Sequence, residues 1–415
     1  LGIREGTEAL EAITPEAIKT RTFATLNEMT LKGSRRRPLI MVVEDLHWID
    51  KTSEDYFASL VENLAGAPIL LLVTYRQGYT PPWMEKSYAT QIALRRLGPK
   101  DGLTVVNSVL QHTQLPEALL QAIQEKAEGI PFFLEELTRA VVEQGDDRAD
   151  VTVPDTIQGV LMARIDRLPD EPKRLLQTAS VLGREAPRTL LDALWAEPDL
   201  EAQVAELKRL ELLYERIGAE EPVYIFKHAL TQEVAYESLL VSHRQALHSA
   251  AGQAMEKIYE GRLDDVCDRL AYHYSKTTDA NKAIDYLTRL ADKAANTYAN
   301  AESASALQEA LIHVESLPEQ ERDRCTIDLV LRLARPLYFL GRFQDTLDLL
   351  LPQQDRLERM NAPELAGPYY FWLGHTYDYM GDQEQTAASA QRAIEAAQQC
   401  ADEATEGKAY YLAGT

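Results

Sequence analysis

Two five-residue runs constrain this chain most, Leu39–Val43 (LIMVV) and Ile69–Val73 (ILLLV). Each is apolar at every position, without the alternation of a one-faced strand, so each suits a parallel strand buried on both faces. Between them, a helix is expected to follow Thr52 or Ser53 and run to about Leu64. Thr52 or Ser53 is the expected cap, Glu54 and Asp55 fall in the first turn, and Ala65-Gly66-Ala67-Pro68 breaks it. Strand, helix, strand in this order is a βαβ unit, which implies a parallel sheet with helices on its faces. Such sheets bind ligands at the carboxyl ends of their strands. Glu44, Asp45 and Arg76 stand at those ends.

Upstream, residues 15–32 have helical spacing, with Pro15 early and Gly33 as the expected stop. Residues 98–142 turn helical and are interrupted by GIPFFLEEL. An acidic linker, EQGDDRADVTVPD (143–155), follows. Residues 157–212 read as short helices, and LLYERIGAEEPVYIFKH reads as a hairpin. Helices ending in a hairpin make a winged-helix-like module.

From residue 241 onward the pattern is helical and repeats. Leu373, Gly374, Tyr377 and Gly381 have tetratricopeptide spacing. Leu333, Ala334, Leu337 and Gly341 occupy the same places 40 residues earlier, and Lys293, Ala294, Thr297 and Ala301 do so another 40 earlier. Gly414 stands 40 residues after Gly374, so a further first helix without its partner is expected at the end.

With 45% hydrophobic and 26% charged residues among 415, the composition is that of a globular protein of several domains. A formal net charge of −22 argues against a broad nucleic-acid footprint. The longest apolar runs are far shorter than the ~18–20 residues that span a bilayer, so no membrane association is expected. Cys267, Cys325 and Cys400 lie far apart, which suits free thiols in a reducing, cytoplasmic setting. No His/Cys spacing suits zinc. The start at Leu1 and the unfinished repeat suggest a piece of a longer chain.

An apolar strand ending in acidic residues is what a Walker B element requires, since it fixes a carboxylate beside a triphosphate and its Mg²⁺. Glu44 takes the metal side, directly or through water, and Asp45 the side of the attacking water. Arg76 ends the next strand, where a fixed cation can meet a γ-phosphate. Gly129-Ile130-Pro131 forms a turn before an amphipathic helix, with Pro131 able to pack on an adenine face. The phosphate-cradling loop G-x-x-x-x-G-K-[ST] occurs nowhere in these residues.

Taken together and in order, RPLIMVVEDLHWID, APILLLVTYR, GIPFFLEEL, TIQGVLMARIDRLP, LLQTASVLGRE and YIFKHALTQEVAYESLL resemble one cassette. It is that of the AAA-type, STAND-like signalling ATPases followed by tetratricopeptide repeats, of the kind fused to bacterial class III adenylate/guanylate cyclases. The resemblance implies the C-terminal part of an α/β P-loop NTPase core with a parallel sheet (1–97), a helical lid with the Gly-x-Pro motif (98–150), a winged helix (155–240) and an all-α solenoid of tetratricopeptide type (241–415). It implies a Walker B pair at Glu44 and Asp45, a sensor arginine at Arg76, and nucleotide contacts at Gly129 and Pro131. ATP or ADP with Mg²⁺ is the implied cofactor, and the phosphate loop would precede Leu1. A protein partner or small ligand on the repeats and a cis output domain, cyclase or kinase, complete the picture, with no direct nucleic-acid contact. The acidic order Glu-Asp, reversed from that of fast motors, suits slow, switch-type hydrolysis in the complete protein and little activity in residues 1–415 alone. Two alternatives stay open at this point. One is a scaffold with a degenerate core and a protein-binding array; the other is a transcription activator whose DNA-binding domain lies elsewhere.

Overall fold

Pro38 disfavours helical backbone at the residue before it, and the first helix, α1 (Pro15–Arg36), ends just ahead of that residue. In the computed structural model, which describes residues 15–111, 113–143, 156–217 and 221–414, Gly33 does not stop α1. Its carbonyl accepts from the Arg37 N–H at 3.2 Å, so the last turn continues past it. The chain divides into two units, residues 1–91 with 262–415, and residues 92–261.

In the first unit, β1 (Leu39–Val43) and β2 (Ile69–Val73) pair in parallel, Leu39 opposite Ile69 through Val43 opposite Val73. The crossover carries α2 (Lys51–Glu62), capped by Asp50 rather than Thr52 or Ser53; its carboxylate accepts from the Ser53 N–H at 2.8 Å. One face of the pair is covered: Val43, Leu71 and Val73 pack with Phe57 and Ala58 against buried Leu46, Val61 and Trp83. The other face corrects the expectation of two-sided burial. Ile40, Val42, Leu70 and Leu72 are 48–65% exposed. An unbroken apolar run shows that a strand can be covered twice, not that it is.

From residue 263 onward this unit is helical among the described residues. After α12 (Cys267–Ser275) come α13 (Ala280–Asn296) with α14 (Asn300–Val314), and α15 (Glu319–Phe339) with α16 (Phe343–Leu350) and α17 (Gln354–Met360). Next are α18 (Pro363–Met380) with α19 (Gln383–Cys400), and then α20 (Glu403–Ala413). Gly341 and Gly381 sit at φ 71° and 81°, each closing a first helix. The next N–H reaches back five residues, Arg342 to the Leu337 carbonyl and Asp382 to that of Tyr377, both at 3.0 Å.

The same turn closes α13, but at Tyr298 (φ 62°), where Ala299 N–H bonds the Ala294 carbonyl at 2.9 Å. Tyr298 lies 43 residues before Gly341, so the earlier repeat is offset by three from the sequence reading. Leu290 and Ala291, not Lys293 and Ala294, are the counterparts of Leu333 and Ala334, and Ala301 falls inside α14. The excess arises largely because α15 runs 21 residues and α18 only 18. Gly374 keeps the small-residue role: an added Cβ would lie 2.9 Å from Leu412 Cδ2 and 3.0 Å from Ser389 Cβ. α20 packs on both α18 and α19.

The second unit begins with α3 (Pro99–Leu110), α4 (Glu117–Ala127) and α5 (Pro131–Glu143), of which α3 and α4 pack on α5. The expected linker lies outside the described residues except for Glu143, which closes α5. Then follow α6 (Ile157–Asp166), α7 (Asp170–Leu182), β3 (Glu185–Pro187), α8 (Arg188–Leu194) and α9 (Leu200–Arg209). The unit is completed by β4 (Leu213–Ile217), β5 (Pro222–Phe226), α10 (Ala229–Glu237) and α11 (Val241–Ile258). β4 and β5 form the expected antiparallel hairpin, Leu213 opposite Phe226. β3, within a stretch read as all helix, adds an edge strand to β5. Three residues ending in proline carry no strand signal, and proline is tolerated there because an edge spares one N–H.

Candidate functional site

The acidic turn after β1 is tied to the end of β2 through one residue, Thr74. Its N–H donates to the Val43 carbonyl at 2.9 Å, and its own carbonyl accepts from the Leu46 N–H at 2.8 Å. Its hydroxyl accepts from the Asp45 N–H at 3.0 Å. Asp45 itself is left-handed, φ 54° and ψ 41°, a conformation that aspartate tolerates better than most residues. The chain therefore turns sharply into the short 3-10 segment Leu46–Trp48, whose Leu46 is buried in the core. Glu44 is left exposed and Asp45 half-buried at the strand end.

Arg76 lies three residues past β2, with its guanidinium over the Trp48 ring, 5.4 Å from the centroid. That contact holds an otherwise exposed cation beside the turn that carries the carboxylates. Glu44, Asp45 and Arg76 are thus gathered at the carboxyl ends of two adjacent parallel strands. Thr74 and Trp48 position them, a role that the sequence alone assigns to neither. The signals were present as a threonine at a strand terminus and an aromatic next to an acidic turn. The His47 ring lies tilted against Trp48, centroids 4.7 Å apart, and both its ring nitrogens are buried without a hydrogen-bond partner. Behind the turn, the Tyr79 hydroxyl donates to Glu54 Oε1 at 2.7 Å, and Lys51 pairs with the same carboxylate at 2.8 Å. Those bonds hold the Glu54 carboxyl below its usual range, against the partial burial that opposes it. Among the described residues no group of three or more His, Cys, Asp or Glu side chains could hold a metal ion.

Gly129 and Pro131 belong to the second unit. Gly129 sits at φ 73°, and an added Cβ would lie 2.3 Å from the Leu97 carbonyl oxygen. Its carbonyl accepts from the Leu97 N–H at 2.8 Å. Glycine is therefore required here by a close backbone approach, whatever else the turn does. Pro131 opens α5 with its ring exposed, which is the position where a missing N–H costs nothing. Beside it lies a cavity of about 390 Å³ walled by Ile130, Phe133 and Leu137, with Arg96 and Lys126 at its edge. Phe133 and Leu137 are half-buried and buried, as a core role for this helix requires.

α5 is anchored by ion pairs that no motif announced. Arg164 of α6 and Glu136 of α5 are 5% and 3% exposed and pair at 2.7 Å. Lys227 bridges Glu135 and Glu211, each at 2.7 Å. Burial would raise the Glu135 carboxyl, but hydrogen bonds from Lys227 and Arg139 prevail and lower it. The His228 ring lies tilted against Phe132, centroids 4.1 Å apart, and burial depresses its basicity more than the nearby Glu136 restores it.

On the repeats, a run of rings crosses α15, α16 and α18. Tyr338 stacks on His375 at 4.5 Å, Phe371 stacks on His375 at 5.4 Å, and Phe343 stacks on Tyr379 at 4.6 Å. Tyr379 is 64% exposed.

No family model matches the chain. It is 28% identical over 250 residues to a protein of Rhizobium meliloti (strain 1021) described as uncharacterized, an alignment spanning 56% of this chain. The chain spans 24% of the length of that curated relative. Among solved structures it is similar, at a TM-score of 0.41 and 13% identity, to a Signal Transduction ATPase with Numerous Domains protein with a tetratricopeptide repeat sensor from Pyrococcus horikoshii. That alignment covers 93% of this chain and 66% of the other.

Proposed function

We propose that this chain is the regulatory part of a nucleotide-dependent signalling switch. Its strand ends would hold Mg-ATP or Mg-ADP, and its repeats would take up a protein partner or small ligand. The observation that carries this reading is the Thr74 tie: hydrogen bonds at 2.8–3.0 Å fix the Glu44-Asp45 turn to the strand that delivers Arg76. A merely polar strand end needs no such fixing of a left-handed aspartate.

Two adjacent carboxylates suit Mg²⁺, which takes one or two protein carboxylates and keeps waters and phosphate oxygens for the rest. When bound, the ion would neutralise developing charge on the phosphates. Glu44 would hold it, directly or through water. Asp45 would accept a hydrogen bond from the attacking water, and Arg76 would face the γ-phosphate. Pro131, exposed at the head of α5, would carry the base-contacting role that the resemblance implies. In the finer reading, 1–97 is the C-terminal part of a P-loop core, 98–150 its lid, 155–240 a winged helix, and 241–415 the sensor. The output domain, a cyclase or kinase, belongs to the longer protein. The exposed rings Tyr379 and Phe339 (64% and 58%) support a ligand on the repeats.

The test is one variant in the complete gene product. Asp45→Asn should keep nucleotide affinity and slow hydrolysis by about a hundredfold, as loss of a water-orienting group does. Equal turnover in Asp45→Asn and the parent would remove Asp45 from the mechanism.

A further inference from the structure

Trp48 is the largest side chain of the turn after β1, yet it has no place in the core. It is 64% exposed, whereas Leu46, two residues earlier, is 1% exposed and anchors the same 3-10 segment. The indole meets its neighbour His47, centroids 4.7 Å apart, and the Arg76 guanidinium, 5.4 Å from the ring centroid. Arg76 is exposed as well. Among the described residues its side chain makes no hydrogen bond and lies within ion-pair distance of no carboxylate, although Glu44 and Asp45 end the neighbouring strand. A guanidinium has two binding surfaces, a flat face that stacks on rings and an edge of five N–H donors that matches oxygens. At Arg76 the face is held and the edge is free.

We propose that Trp48 is a positioning residue that lets the site tell ATP from ADP: its ring holds the Arg76 guanidinium so that the free N–H edge is ready for a γ-phosphate. The proposal rests on the nucleotide reading of the strand ends and adds to it the group that separates the two nucleotides. An arginine side chain has many rotamers, and ordering them on binding costs affinity. Stacking on Trp48 restricts them beforehand. At an exposed site such a contact is worth about two- to fivefold in an equilibrium constant, and more once a ligand excludes water from it. Arg76 would donate to γ-phosphate oxygens without leaving the ring, because face and edge are separate surfaces. ADP offers the edge nothing, so its affinity should not depend on Trp48. A lysine could not substitute for Arg76, since an ammonium has no planar face and no fork.

The experiment measures binding of the β,γ-imido analogue of ATP and of ADP, each with Mg²⁺, to the complete gene product and its variants. Trp48→Ala should weaken the ATP analogue about threefold or more and leave ADP unchanged. Trp48→Phe keeps a ring face and should recover most of the loss, while Arg76→Lys should behave like Trp48→Ala. Tryptophan emission gives a second readout. The described chain has four tryptophans, and Trp48→Phe identifies the contribution in question. Emission from Trp48 should shift with the ATP analogue and not with ADP, as a bound anion neutralises the cation over the ring, and Arg76→Gln should abolish that shift. An unchanged ATP-to-ADP affinity ratio in Trp48→Ala would overturn the proposal and leave the nucleotide reading standing. So would an equal loss for both nucleotides, which would make the ring a support for the turn alone. A parent protein that binds neither nucleotide would overturn the reading and this proposal with it.

Discussion

Gly129→Ala is the sharpest structural test, because it separates what the Gly-Ile-Pro turn needs for folding from what it does for a ligand. At φ 73° an alanine costs about 1–2 kcal/mol relative to glycine. Its Cβ would sit 2.3 Å from the Leu97 carbonyl oxygen, so backbone rather than a side-chain tip must retreat by roughly 1 Å. That retreat breaks or stretches the 2.8 Å bond from Leu97 N–H to the Gly129 carbonyl, worth about 0.5–1.5 kcal/mol. Restricting the unfolded chain returns about 0.4–1 kcal/mol. With the residual overlap, the net loss should be about 2–4 kcal/mol. Trp195 is the one tryptophan of residues 92–261, and its fluorescence during denaturant unfolding reports this unit. A variant within about 0.5 kcal/mol of the parent, the range of an ordinary surface change, would refute the close approach and return Gly129 to ligand contact alone.

Glu136→Ala should remove the buried carboxylate that pairs with the Arg164 guanidinium, costing about 3–5 kcal/mol in the same assay; a loss under about 1 kcal/mol would show that the pair is not closed to water. His228 and His375 are both held below their ordinary 6.5, chiefly by burial. The unfolded chain therefore takes up protons before the folded one does. Their contribution is complete above pH 6.5 and falls as pH drops below it, so stability against pH should slope down from there, and less steeply in His228→Phe. A slope unchanged by that substitution would remove His228 from the linkage.

Much of the architecture was legible because local chemistry and global pattern agree there. The apolar runs at 39–43 and 69–73, the hairpin on either side of residues 218–221, and Gly341 and Gly381 each carry a strong local signal that the structure keeps. Elsewhere a local signal had more than one outcome. Five apolar residues in a row do not say which face a neighbour covers, and Ile40 and Val42 are exposed. Asp50, Thr52 and Ser53 can all cap a helix, and only the bond from Ser53 N–H to the Asp50 carboxylate decides among them. The register of the first repeat was misread because its left-handed closing residue is Tyr298, where glycine would have marked the turn. At the strand ends the acidic pair and Arg76 could be named in advance. Thr74 and Trp48 could not, since their roles depend on two loops meeting in space.

The most direct test of the central claim is calorimetry of ATP binding, with and without Mg²⁺, to the complete gene product and its Glu44→Ala variant. If the strand ends form the metal side of a nucleotide site, the parent should bind ATP more tightly with Mg²⁺ than without. Glu44→Ala should lose most of that difference, about tenfold or more in Kd, and residues 1–415 alone should bind weakly or not at all. Mg²⁺-dependent affinity that is the same in Glu44→Ala and the parent would contradict the assignment of this turn to a nucleotide.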